Sequence, residues 1–119
     1  MNSTARVEID LVDEERKLLW RGLLEWGGPA RCSEAMAIAL GFRGVADLLE
    51  EGQRMADDLK AGRALTRCDW RRALLATEVA FASDVVGSGI DWSTTTGMDD
   101  DRTLRVLRSA QRKLASAID

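Results

Sequence analysis

Between residues 67 and 86 the chain reads RCDWRRALLATEVAFASDVV, and at about 100° per residue its polar side chains fall in narrow, scattered sectors of a helix. Arg71 shares a sector with Glu78, Arg72 with Ser83, and Thr77 with Asp84. Leu74, Leu75, Val79, Phe81, Ala82, Val85 and Val86 fill most of the remaining circumference. A helix without a broad polar side needs neighbours on several sides, so the pattern predicts a central buried helix over 67–86. The start of this helix is marked twice. Thr66 and Asp69 have capping-box spacing, and Leu65 with Trp70 has the spacing of a hydrophobic staple. Gly87 and Gly89 should end it, since glycine closes a helix at little steric cost.

The chain has 119 residues, 45% of them hydrophobic, which suffices for one domain with its own core and leaves too little for a second. Its N-terminus, MNSTARVEID, lacks the basic-then-apolar order of a signal peptide, and no run is long enough to span a bilayer. A cytoplasmic location with no membrane contact is therefore expected. Cys32 and Cys68 are expected as reduced thiols, because a chain of this size can build a core without a disulfide. Histidine is absent, which excludes Ser-His-Asp and Cys-His catalysis and every histidine metal site. Two cysteines alone make a poor zinc site, so neither a metal nor a cofactor is expected. The net charge is −3, with the acidic excess before Gly62 and near balance after it. Neither half offers the concentrated positive surface that a phosphate backbone attracts, so nucleic acid is not the favoured partner.

Taken in order, Val7, Ile9 and Leu11 alternate with Glu8 and Asp10, the period of a strand with one wet face. Residues 5–12 are thus expected as a short strand or an extended arm. A strand would pair with a second copy, with a partner chain, or with an extended piece such as 63–66; an arm would pack its aliphatic residues between helices. Asp13 is the expected cap of a first helix running to Trp26, with Glu14 and Glu15 in its first turn and Gly22 at a close crossing. Gly27, Gly28 and Pro29 break the chain, and a short helix over 34–40 follows, closed by Gly41. Val45, Leu48, Leu49, Gly52, Met55, Ala56 and Leu59 keep an i, i+3, i+4, i+7 rhythm, and Glu50 with Arg54 has i, i+4 pairing distance on the opposite, acidic face. A last helix opens at Asp99 and should bury Leu104, Leu107, Leu114 and Ile118 beside a stripe of Arg102, Arg105, Arg108 and Arg112. The fold class that follows is mainly all-α: a compact bundle of about five helices in one domain.

Three stretches invite a functional reading. Residues 33–52, SEAMAIALGFRGVADLLEEG, resemble a helix-turn-helix, with Ala37 and Gly41 at the spacing that motif uses for its packing and turn. They depart from it at Asp47, where a buried aliphatic residue belongs, and at Glu50 and Glu51, which would face DNA phosphates. An ordinary helical hairpin is therefore preferred. Residues 87–98 form a Gly/Ser/Thr-rich loop in which backbone amides, hydroxyls and the Trp92 indole could hold a small polar ligand. Its candidate ligand-binding residues are Trp92, Ser93, Thr94 and Thr95, with Glu78 and Asp84 contributed by the crowded helix. The competing reading is a connector whose polar groups satisfy local backbone while Trp92 fills core, with Glu78 and Asp84 in internal salt bridges.

The third is a set of candidate contact residues: Val7, Ile9 and Leu11 on the arm, Trp26 among four tryptophans, and Arg105 and Arg108 on the last helix. Large aromatics and arginines dominate binding hot spots, and an unpaired strand invites a homodimer. The leading expectation is a non-enzymatic protein that binds another protein, as a regulator, adaptor or immunity-type inhibitor. The alternative is a small-molecule-binding domain or cofactor-independent enzyme with a pocket near Glu78 and Trp92. Helix-turn-helix binding to DNA comes third.

Overall fold

A computed structural model describes residues 4–28, 30–83 and 85–118, the side chain of Ile90 excepted. The described chain runs β1 (Arg6–Val7), α1 (Asp13–Leu24), a 3₁₀ turn (Glu25–Gly27), α2 (Glu34–Ala39) and α3 (Val45–Lys60). It continues through β2 (Leu65–Thr66), α4 (Arg67–Ala82), a second 3₁₀ turn (Gly89–Asp91), α5 (Trp92–Thr96) and α6 (Asp100–Ile118). This is a mainly helical bundle. Its radius of gyration is 13.2 Å, close to the roughly 13.5 Å of a compact chain of this length.

The arm adopts both arrangements foreseen for it. Arg6 and Val7 pair antiparallel with Thr66 and Leu65, so the strand is completed within the chain. Beyond the pairing, Ile9 and Leu11 are buried among the helices. The Trp70 indole N–H donates to the Val7 carbonyl at 2.9 Å, which ties the arm to the first turn of α4. Thr66 caps that turn by accepting from the Asp69 N–H at 3.1 Å, and Leu65 and Trp70 are both fully buried, as the staple requires.

The middle of the bundle is shared between α4 and α1. α4 buries Asp69, Trp70, Ala73, Ala76, Thr77 and Ala80 and touches α1, α3 and α6. It also keeps an open strip, where Arg67, Cys68, Arg71, Leu75 and Ala82 are exposed, so neighbours cover it on several sides, as expected, but not all round. The reason lies in residue size. Its buried row is largely alanine, which lets α1 come close but spares the bulkier Leu75 from the core. α1 is the more enclosed helix, with Leu18, Leu19 and Leu23 buried and contacts to α3, α4 and α6.

Several boundaries differ from the sequence expectation for identifiable reasons. α4 ends at Ala82 and not near Val86, because the Ser83 hydroxyl accepts the Val85 and Val86 N–H groups and turns the chain out of the helix. α1 is capped at Val12 instead of Asp13, with the Glu15 carboxylate reaching back to the Val12 N–H at 2.8 Å. On α6 the buried row is Thr103, Val106, Leu107, Ala110, Leu114 and Ile118; Leu104 sits one residue off that row and is half exposed. Arg54 pairs with Glu51 and Asp69 and not with Glu50.

The hairpin of α2 and α3 turns at Gly41, whose φ of 100° favours glycine. Asp47 accepts the Arg43 N–H at 2.9 Å, which explains a polar residue where a helix-turn-helix would bury an aliphatic one. Among the described residues, no helix is long and apolar enough to cross a membrane.

Candidate functional site

The segment expected to be a loop over 87–98 is instead helical from Gly89 to Thr96. Small polar residues permit this because their hydroxyls can turn back on the segment's own backbone: Thr96 donates to the Trp92 carbonyl at 2.6 Å, and the Thr95 hydroxyl lies 3.1 Å from that of Asp91. Trp92 is fully buried, edge-on to Phe81 with ring centroids 5.5 Å apart. Its indole N–H donates to the Thr103 hydroxyl at 2.9 Å. Ser93 and Thr94 are exposed. Glu78 belongs to a different setting, a groove of about 340 Å³ between α4 and α6 floored by Leu74 and Leu114, where it accepts from the Gln111 amide at 2.6 Å. Asp84 lies outside the described residues. The structure thus places the candidate ligand residues in two settings.

Glu25 joins the helical segment to α1, and sequence reasoning missed it. This buried carboxylate accepts from Ser88 Oγ at 2.9 Å and from the Thr95 hydroxyl. A signal was available. Glu25 stands seven residues after Leu18 and three after Gly22, on the face of α1 that is buried.

Of the candidate contact residues, Ile9, Leu11 and Trp26 are taken up by the core, Trp26 donating to the Ala76 carbonyl at 3.0 Å, and Val7 is half-buried. Arg105 and Arg108 are exposed. Arg105 belongs to a face that the arm and α6 build together, with the two segments running antiparallel. At one end, a cleft of about 440 Å³ has Val12 and Val106 in its lining, between Glu14 on one wall and Arg102 and Arg105 on the other. At the other end, a cleft of about 470 Å³ has Ile9 and Ala117 in its lining, between Glu8 and Asp10 on one wall and Arg112 on the other. Glu15 and Lys113 separate the two.

Charge on this face is divided into two parallel strips. The arm and the start of α1 contribute Glu8, Asp10, Glu14 and Glu15, while α6 contributes Arg102, Arg105, Arg112 and Lys113. Two pairs tie the strips together: Lys113 donates to the buried Glu15 carboxylate at 2.7 Å, and Arg102 pairs with Glu14. Arg108 instead donates to Gln111 of its own helix at 3.0 Å. Burial pushes the Glu15 carboxyl up, but Lys113, the Ser109 hydroxyl and the Val12 N–H outweigh it and hold it below the usual carboxylate range. Glu8, Asp10, Arg105 and Arg112 make no hydrogen bond or ion pair among the described residues. Val12, in the cleft beside Arg105, is 57% exposed.

Chemically, the face can present two opposite charges flanking an apolar floor, and the described residues gather no cluster of three metal-ligating side chains. No family model, curated protein or solved structure matches the chain.

Proposed function

We propose that the protein is a cytoplasmic, non-enzymatic contact domain that binds another protein through the face shared by α6 and the N-terminal arm. The observation that carries this reading is how the charges are employed. Asp69 is held by Arg72 and Arg54, Asp58 by Arg63, and Glu25 by two hydroxyls, so the buried carboxylates serve the fold. Glu8, Asp10, Arg105 and Arg112 serve no internal contact and line two adjoining clefts, one of which holds exposed Val12. An apolar floor rimmed by charges is the anatomy of a protein interface. The clefts are open and their charged walls long, which suits a partner's surface better than a small enclosed ligand.

The test is chemical cross-linking in the source cells, read by mass spectrometry. Lys113 lies on the face and Lys60, at the end of α3, is not among its residues. Cross-links from Lys113 to a partner are expected, and Arg105→Glu with Arg112→Glu should abolish them while circular dichroism shows helix content unchanged. An identical set of Lys113 cross-links in the charge-reversed protein would refute the reading.

A further inference from the structure

We infer that the partner this face fits is a second copy of the same chain, related by a two-fold axis lying along the groove and parallel to α6. The inference rests on the reading of the face as a contact surface and adds the occupant. Its warrant is self-complementarity. A two-fold axis parallel to the strips and lying in the contact plane exchanges left and right, so the acidic strip of one copy comes to lie on the basic strip of the other, twice over. An axis in the plane but perpendicular to the strips would set acid on acid, so charge selects one orientation of the two. The two α6 helices then run parallel, one on either side of the axis.

The lengths agree. From Arg102 to Arg112 the basic strip extends about 15 Å at about 1.5 Å per residue. The acidic strip lies beside it over the same stretch, because Glu8 and Asp10 share a cleft with Arg112 and Glu14 shares one with Arg105. Across the axis, Glu8 and Asp10 of one copy meet Arg112 of the other, and each reaches a charge that its own chain leaves without a partner. Val12, more than half exposed between the strips, supplies apolar area where the copies meet. A partner with a uniformly acidic or uniformly basic surface would satisfy one strip and repel the other. A surface that matches both at once is the copy of itself.

Sedimentation equilibrium of the purified chain tests this without knowledge of any other partner. A dimer with a dissociation constant on the order of 10 μM is expected at low salt. It should weaken by roughly tenfold or more between about 0.1 M and about 1 M salt, as the screening length falls from about 10 Å to about 3 Å. Arg105→Glu/Arg112→Glu makes all four unpaired charges lining the clefts acidic, and Glu8→Arg/Asp10→Arg makes all four basic; each variant alone should be monomeric. Mixed in equal amounts, they should form a heterodimer, because the four acidic groups of one chain at positions 8, 10, 105 and 112 then face the four basic groups of the other. A wild-type chain that stays monomeric at about 100 μM, about tenfold above the expected constant, overturns the inference, as does a mixture that fails to associate. If the wild type is monomeric but Arg105→Glu/Arg112→Glu still abolishes the cellular cross-links, self-pairing falls and the contact face stands. If the cross-links also survive, both fall.

Discussion

Gly22 of α1 and Thr77 of α4 meet where the two helices cross, so closely that a Cβ built at position 22 would overlap the Thr77 hydroxyl and come within 2.7 Å of the Thr77 Cα. The hydroxyl itself is spent on α4, donating to the Ala73 carbonyl at 2.8 Å. Glycine is therefore required here for its lack of a side chain. Because the obstacle includes backbone, the helices must move apart to admit a methyl, loosening the most enclosed part of the core. Gly22→Ala should destabilise the protein by about 3 kcal/mol despite alanine's better helix propensity, worth about 1 kcal/mol in the opposite sense. Urea denaturation reads this directly, and a variant as stable as the wild type would mean that α1 and α4 are not in contact at this point.

Trp92 and Thr103 form a buried pair whose loss should be asymmetric. Thr103→Val keeps the side-chain shape but leaves the indole N–H without an acceptor, a penalty of about 1–3 kcal/mol. Trp92→Phe removes the donor, so Thr103→Val added to it should cost much less than it does alone. A double-mutant cycle in thermal or urea melts measures the coupling. Strict additivity of the two changes would place the indole N–H elsewhere.

The fold was legible where a local rule and the core agreed. Thr66, Leu65 and Trp70 marked the start of α4 because a cap and a staple depend on a few consecutive residues, and α3 was legible because its apolar rhythm is nearly unbroken. What could not be read depended on contacts distant in sequence. Leu74 and Leu75 look alike in sequence, yet only alanine-lined contact with α1 decides which side of α4 is covered. The helical turn at Trp92 reads as a loop because hydroxyl-rich residues favour loops until a buried partner fixes them. Glu25 was overlooked because a carboxylate on an apolar row draws attention only once Ser88 and Thr95, more than sixty residues on, are found beside it. Of the contact face, the arginine stripe was visible in the sequence. The acidic strip opposite was not, since its position follows from where the arm lies.

Glu25 gives a prediction about local order. Its carboxylate is the acceptor for Ser88 and Thr95, and so it pins the segment after α4 against the end of α1. Replacing Glu25 with Ala should leave two hydroxyls without their acceptor and remove one tether, at a cost of about 2 kcal/mol. The effect should be uneven. Amide hydrogen exchange should quicken most over residues 87–97, while α3 keeps its protection relative to global unfolding. Uniform acceleration throughout the chain would show that Glu25 supports the whole bundle and not this segment.

Acid should weaken the protein through the network that joins α3, α4 and the arm. Burial would raise the Asp69 carboxyl, but the Arg72 and Arg54 guanidiniums outweigh it and hold it below the usual carboxylate range. Asp58 is likewise raised by burial and lowered more strongly by Arg63 and Arg6. In both cases the native carboxyl binds its proton more weakly than the unfolded one, whose pKa is about 3.9. The stability they contribute is therefore fully present above that value and is lost as pH falls through the lower native one. Asp69→Asn removes one such carboxylate and should cost about 2 kcal/mol near neutrality. The same substitution should cost progressively less below about pH 4, where the wild-type carboxylate is itself being protonated. Paired urea melts of the two proteins across that range give the difference directly. A gap that stays constant from neutral to strongly acidic pH would show that the ionised form of Asp69 is not what holds α3 to α4.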